Sequence, residues 1–146
     1  SAGRTELPLD RYRIPCLIYA DFLEAEQIDK LASQIDVMPT VMGLLNFSYE
    51  SKFLGQDIFS RFYQPRAYIA TYRELGYLTP DTLSIIKPLR EQIQYKIVPE
   101  AEQPKVELPI FYQQFKVAQP DEKLMKECIS AYETTYFLLK KGELNN

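Results

Sequence analysis

Histidine is missing from all 146 residues of this chain. Its imidazole is the commonest general base and a frequent metal ligand, so its absence removes most hydrolytic site designs. Routes through Asp, Glu, Lys or Tyr remain open, but an independent active site is not expected. Long apolar runs are missing too. None approaches the roughly 18 residues of a spanning helix, and no basic-then-apolar start marks a signal peptide. A nucleic-acid partner normally leaves a basic stripe. Here the net charge is −3 and no block of like charges occurs, so none is expected. Cysteine is scarce: Cys16 and Cys128 are far apart and form no CxxC metal or redox motif. Cys16 sits in an apolar run and Cys128 on the apolar stripe of a helix, so both read as small buried hydrophobes. The alternative is a disulfide between them, which requires an oxidising compartment.

What is present suits a folded chain of one domain's length. Hydrophobic residues make up 46% and charged residues 25%, ordinary values for a globular protein. Eleven Tyr and eight Phe, with no Trp, point to a sheet-containing fold. No internal repeat or low-complexity tract occurs.

Residues 14–20, Ile-Pro-Cys-Leu-Ile-Tyr-Ala, form a short continuous apolar run. Such a run predicts a strand buried on both faces of a parallel or mixed sheet, with Pro15 near its start. Ala25, Ile28, Leu31, Ala32 and Ile35 then recur at helical spacing, behind Glu24 and Glu26. Asp36 is placed to cap a new helix, with Pro39 in its first turn. Val41, Met42, Leu44 and Leu45 supply its apolar residues, and Gly43 suits a close approach by a neighbour. Residues 46–65 read as an aromatic-rich loop.

From Arg66 the period becomes two, predicting a strand over 66–73. Leu75 to Leu78, a Thr-Pro-Asp-Thr turn at 79–82 and Leu83 to Ile86 predict a tight hairpin. Lys87-Pro88 interrupts it, and Gln92 to Val98 places Ile93, Tyr95 and Ile97 on one face. The pattern is an antiparallel meander of three or four strands. Residues 99–120 hold four of the ten prolines and read as a connector, anchored by Ile110 to Phe115. A long helix ends the pattern. Leu124, Met125, Cys128, Ile129, Tyr132, Tyr136 and Leu139 line its stripe, Asp121 caps it, Lys140 and Lys141 suit its C-terminal dipole, and Gly142 stops it.

Several motifs here have counterparts in a known family. They are Glu6-Leu7-Pro8, Tyr12-Arg13-Ile14-Pro15 leading into Leu17-Ile18-Tyr19-Ala20, and Ser33-Gln34-Ile35-Asp36-Val37-Met38-Pro39-Thr40 followed by Gly43-Leu44-Leu45. Phe47-Ser48-Tyr49, Lys52-Phe53, Gly55-Gln56-Asp57-Ile58 and Thr71-Tyr72 with Gly76-Tyr77-Leu78 continue the match. Over residues 1–98, and more loosely over 124–141, the chain resembles the C-terminal stretch of sulfatase-like enzymes of the alkaline phosphatase superfamily. The branch it resembles is the membrane-anchored one of lipoteichoic acid synthases and related phosphoglycerol or phosphoethanolamine transferases. Arg13 stands where that pattern commonly has His, and Cys16 where it has an aliphatic residue.

The resemblance implies a parent enzyme that hydrolyses or transfers sulfate or phosphate esters. In such enzymes a Thr, Ser or modified Cys nucleophile works beside a divalent metal held by Asp, Glu and His. The metal (Mn, Mg, Ca or Zn) stabilises charge on the transferring group and lowers the nucleophile's pKa. The last metal-binding Asp-His pair usually shortly precedes a segment like Ser1-Ala2-Gly3. No residue here matches a nucleophile or ligand, so no catalytic, cofactor-binding or metal residue is assigned. The expected partner is the N-terminal part of the same enzyme. Membrane contact is expected only through upstream segments, with the domain in the periplasm or outside the cell.

Residue by residue, the structural roles outweigh the chemical ones. Arg4, Arg11 and Arg13 could bind an anion, but a solvated basic loop is the simpler reading. Asp36 is expected to cap rather than to bind metal. Asp21, Glu24 and Glu26 suit a helix N-terminus better than a cation site. Tyr68, Tyr72, Tyr77 and Tyr95 are expected to pack across strands rather than to form a stacking platform.

The expected fold class is α/β, becoming α+β in the second half: the end of an alkaline phosphatase-like sandwich, then a small antiparallel sheet with a packing C-terminal helix. Residues 1–63 would belong to the catalytic domain and 64–146 to the meander and helix. Left alone, strand 14–20 is expected to self-associate or to need cover. The alternatives are a complete small binding module and a degenerate, non-catalytic relative.

Overall fold

The computed structural model describes residues 7–48, 54–99 and 112–142. Its organising element is a five-stranded antiparallel sheet in the order β1-β2-β3-β4-β5. The strands are β1 (Ala67–Ala70), β2 (Leu75–Leu78), β3 (Thr82–Ile86), β4 (Gln92–Pro99) and β5 (Tyr112–Lys116). Two helices accompany it, α1 (Val37–Leu44) and α2 (Glu122–Lys141). The fold class of the described residues is therefore α+β.

The meander follows from its turns. Leu78 pairs with Leu83, and the Thr79 N–H closes the intervening turn on the Thr82 carbonyl at 2.8 Å. Between β3 and β4 the Lys87 N–H reaches the Glu91 carbonyl at 2.9 Å. Leu89 and Arg90 there adopt φ of 63° and 62°, left-handed values that cost a side-chain-bearing residue energy.

Alternation then sorts the side chains. Ile69, Leu83, Ile85, Ile93, Tyr95 and Ile97 gather on one face, where Leu7 and Leu9 complete the core and Tyr12, Leu78 and Tyr112 pack against it. The opposite face carries Tyr68, Tyr77, Ser84 and Gln94 in register across four strands. Helix α2 covers this more polar side. It buries Met125 and Cys128 and sends the Tyr132 hydroxyl to the carbonyls of Ile69 and Gly76, at 3.1 and 2.9 Å.

The terminal helix behaves as its sequence predicts. The Asp121 carboxylate accepts from the Lys123 and Leu124 N–H groups, and Gly142 ends the helix at φ 73°. Only the first half of its stripe is covered, however; Tyr136 and Leu139 are exposed.

Four expectations need correction. Residues 14–20 form no strand and lie in irregular chain. A strand exists through its ladder, and among the described residues nothing pairs with this backbone except the Leu23 N–H, on the Ala20 carbonyl. Residues 25–33 are not helical; only a 3-10 turn at Gln34–Asp36 precedes α1. Ile28 and Ile35 are exposed, so the periodic stripe has no surface to bury against, and packing is what sustains short helices. The connector includes a fifth strand, β5, paired with β4; its Tyr-Gln-Gln-Phe-Lys sequence lacks clean alternation. Ile110 and Phe111, expected to anchor it, lie outside the described residues, as do Pro104 and Pro109. Finally, Cys16 is exposed and only Cys128 is buried, both as free thiols.

Candidate functional site

The densest polar arrangement centres on Asp36. Backbone from three segments converges here: the 3-10 turn and α1, the loop 54–65, and the entry to β1. Asp36 and Arg66 are 1% and 3% exposed. The Arg66 guanidinium grips the carboxylate with both prongs, Nη1 to Oδ2 at 2.7 Å and Nη2 to Oδ1 at 2.9 Å. Oδ1 also accepts from the Gln56 N–H at 2.7 Å and Oδ2 from the Ser33 N–H at 2.9 Å. Tyr63 adds its hydroxyl, 3.2 Å from Oδ2 and 2.8 Å from the Leu31 carbonyl.

Electrostatics follow from this crowding. Burial alone would raise the Asp36 carboxyl; hydrogen bonds from Arg66, Ser33 and Gln56, with the guanidinium charge, outweigh it and hold the group below its usual range. Burial and the Asp36 charge push the Tyr63 phenol up to about 12. Arg66 is flanked by the rings of Tyr63 and Tyr68, at 5.8 and 5.5 Å. A carboxylate this strongly paired has no basicity to offer a substrate. It is a clamp.

Thr40 and two glycines complete it. The buried Thr40 hydroxyl donates to the Asp36 carbonyl at 2.7 Å and accepts from the Ile58 N–H at 3.2 Å. A Cβ at Gly55 would collide with the Ile35 carbonyl, and one at Gly43 would lie 2.5 Å from Asp57 Oδ2. The close approach expected at Gly43 is thus the approach of Asp57. The expected α1 cap is corrected: no Asp36 side-chain bond caps α1, because the carboxylate turns instead to Arg66, Ser33 and Gln56.

No family model, no curated protein and no solved structure matches this chain.

The other residues weighed from sequence do not join this cluster. Arg11 and Arg13 are exposed, and Arg4 lies outside the described residues. Asp21, Glu24 and Glu26 are exposed in irregular chain, with no helix N-terminus beside them. Tyr68 and Tyr77 pack across strands with centroids 5.5 Å apart, and Tyr132 meets Tyr68 edge-on at 6.1 Å. Tyr95 lies in the opposite core and Tyr72 is almost fully exposed, so the four tyrosines share no platform. Among the described residues, no three His, Cys, Asp or Glu side chains converge as a metal site would need.

Sequence reasoning missed Arg66, Tyr63 and Gln56 as partners of Asp36. Arg66 is 30 positions away, and nothing local links the two. The signal that was present is Arg66 at the head of a strand, a place where a charge is either solvated or paired.

Proposed function

We propose that this chain is the C-terminal part of a sulfatase-like enzyme of the alkaline phosphatase superfamily, in the lipoteichoic acid synthase or phosphoglycerol transferase branch. Such a parent hydrolyses or transfers sulfate or phosphate esters outside the cytoplasm, anchored in the inner membrane by upstream segments. In this reading the nucleophile and the divalent metal belong to the preceding part of the enzyme, and the present residues supply framework.

One observation carries the reading. Residues 14–20 lie outside any helix or strand, with Ile14, Leu17 and Tyr19 exposed by 71%, 92% and 85% and the backbone of 14–19 without hydrogen-bond partners among the described residues. A continuous apolar run of this kind belongs in the interior of a sheet covered on both faces. Soluble monomers seldom leave such surface bare. The run lies in the Tyr12-Arg13-Ile14-Pro15 element and precedes Asp36-x-x-Pro39-Thr40, the combination on which the resemblance rests. Strands from the preceding part of the enzyme would give it its ladder.

The test compares the whole encoded polypeptide with the 146-residue chain, assaying aryl phosphate and aryl sulfate hydrolysis with Mn²⁺. Metal-dependent turnover by the whole polypeptide, and none by this chain, is expected. Turnover by the 146-residue chain itself, or a reading frame that opens at Ser1, would overturn the proposal.

A further inference from the structure

Beside the Asp36 clamp lies an open depression of about 440 Å³ lined by Gln56, Asp57, Ser60, Phe62 and Tyr63. All five come from one loop, and the loop is fixed at several points. Its start is held by the Gln56 N–H on Asp36 Oδ1, its middle by the Ile58 N–H on Thr40, and its end by the Tyr63 hydroxyl on Leu31. Lys30 Nζ adds a bond to the Ile58 carbonyl at 3.0 Å. Within the loop the Phe59 N–H is held by Asp57 Oδ1, the Gln64 N–H by Gln56 Oε1 and the Phe62 N–H by the Ser60 hydroxyl oxygen. Among the described residues, these bonds leave Asp57 Oδ2, the Gln56 amide N–H groups and the Ser60 hydroxyl proton without a hydrogen-bond partner.

Against that polar rim stands a displayed ring. Phe62 is 74% exposed, and the Arg61 guanidinium lies 4.6 Å from its centroid on one face. An aromatic ring so exposed gains nothing for folding by its position, yet its backbone is fixed by the loop.

We propose that this depression binds a polyhydroxylated ligand, a pyranose sugar ring, independently of any ester chemistry. A pyranose presents an apolar face of C–H groups, which suits the Phe62 ring, and vicinal hydroxyls around its edge. The hydroxyls need one strong acceptor, one amide donor and one group able to do both. Asp57, Gln56 and Ser60 provide these in turn. The volume falls in the range of small-ligand sites. Gly43 belongs to the site indirectly, since it leaves the space that Asp57 Oδ2 occupies.

The experiment is a titration of the isotope-labelled 146-residue chain with methyl β-glucopyranoside, followed by backbone amide shifts and by saturation transfer to the sugar. Glycerol, which has hydroxyls but no ring face, is the second arm. The expected result is binding with a Kd on the order of 1 mM, shifts confined to residues 56–63, and weaker binding of glycerol. Phe62→Ala and Asp57→Asn should each reduce glucoside affinity about tenfold. Phe62 is exposed and Asn keeps the acceptor for the Phe59 N–H, so both variants should stay folded, which their spectra check directly. Shifts scattered over the surface, affinity unchanged in both variants, or glycerol binding as well as the glucoside would overturn the proposal. None of these outcomes bears on whether the parent enzyme transfers esters.

Discussion

Arg66 and Asp36, 30 positions apart in sequence, form a two-pronged ion pair with contacts of 2.7 and 2.9 Å. The pair ties the stretch before α1 to the entry of β1. Because both groups are almost fully buried, the energy of removing one differs greatly from the energy of having made the pair. Truncating one partner leaves a bare buried charge, typically at a cost of about 3–5 kcal/mol. Asp36→Ala should therefore lower unfolding stability by about that amount, and Asp36→Ala with Arg66→Met by clearly less. Urea unfolding of the single and double variants checks this; equal losses in both would show that the charges are not what the clamp holds.

The same pair sets the acid limb of stability. The folded Asp36 carboxyl is depressed, so its contribution is present above the unfolded pKa, about 3.9. It is lost as pH falls through the lower folded value. Stability should drop below about pH 4 in the wild type, and Asp36→Asn should flatten that limb.

The alkaline limb belongs to groups whose folded pKa is raised. Tyr63 and Cys128 are each pushed up to about 12, Tyr63 by burial and the Asp36 charge, Cys128 by burial alone. Their contributions are complete below the unfolded values, about 10 for the phenol and 8.5 for the thiol, and fade as pH rises towards 12. Melting temperature should therefore fall between about pH 9 and 12, less steeply in Cys128→Ala. An unchanged slope would remove the thiol from this account.

Thiol accessibility gives a sharper reading of the same residue. Cys16 is exposed and Cys128 fully buried, so a disulfide reagent should titrate one thiol at once in the folded protein. The second should react only at the rate of opening. Two fast thiols would mean that α2 does not stay docked on β3.

Residues 14–20 predict behaviour in solution. With Leu17 and Tyr19 exposed, the isolated chain should self-associate, and Leu17→Lys with Tyr19→Lys should shift it towards monomer. Sedimentation velocity distinguishes the outcomes; a monodisperse wild-type monomer with this segment exposed would contradict the role proposed for it.

Local physics made much of the second half legible from sequence. Alternation over 66–73, of which Ala67–Ala70 is strand, and over 92–98, the Thr79–Thr82 turn, and Asp121 and Gly142 around α2 each concern residues within a few positions of one another. Their outcomes depend on backbone geometry and on one face being apolar. The fifth strand escaped because Gln113 and Gln114 interrupt the period, and β4 alone decides that Tyr112–Lys116 is paired.

The first half divides differently. Its sequence determined that 37–44 would be a short helix after Asp36, and that Gly43 would admit a neighbour. It also set the apolar character of 14–20, which composition fixes whether or not a partner is present. Tertiary structure alone decided that Asp36 would turn from capping to Arg66, that Leu7 and Leu9 would cover the sheet's apolar face, and that 14–20 would carry no ladder. A buried charge or an unpaired backbone finds its state only through groups far along the chain, and the distance along the sequence says nothing of which will arrive.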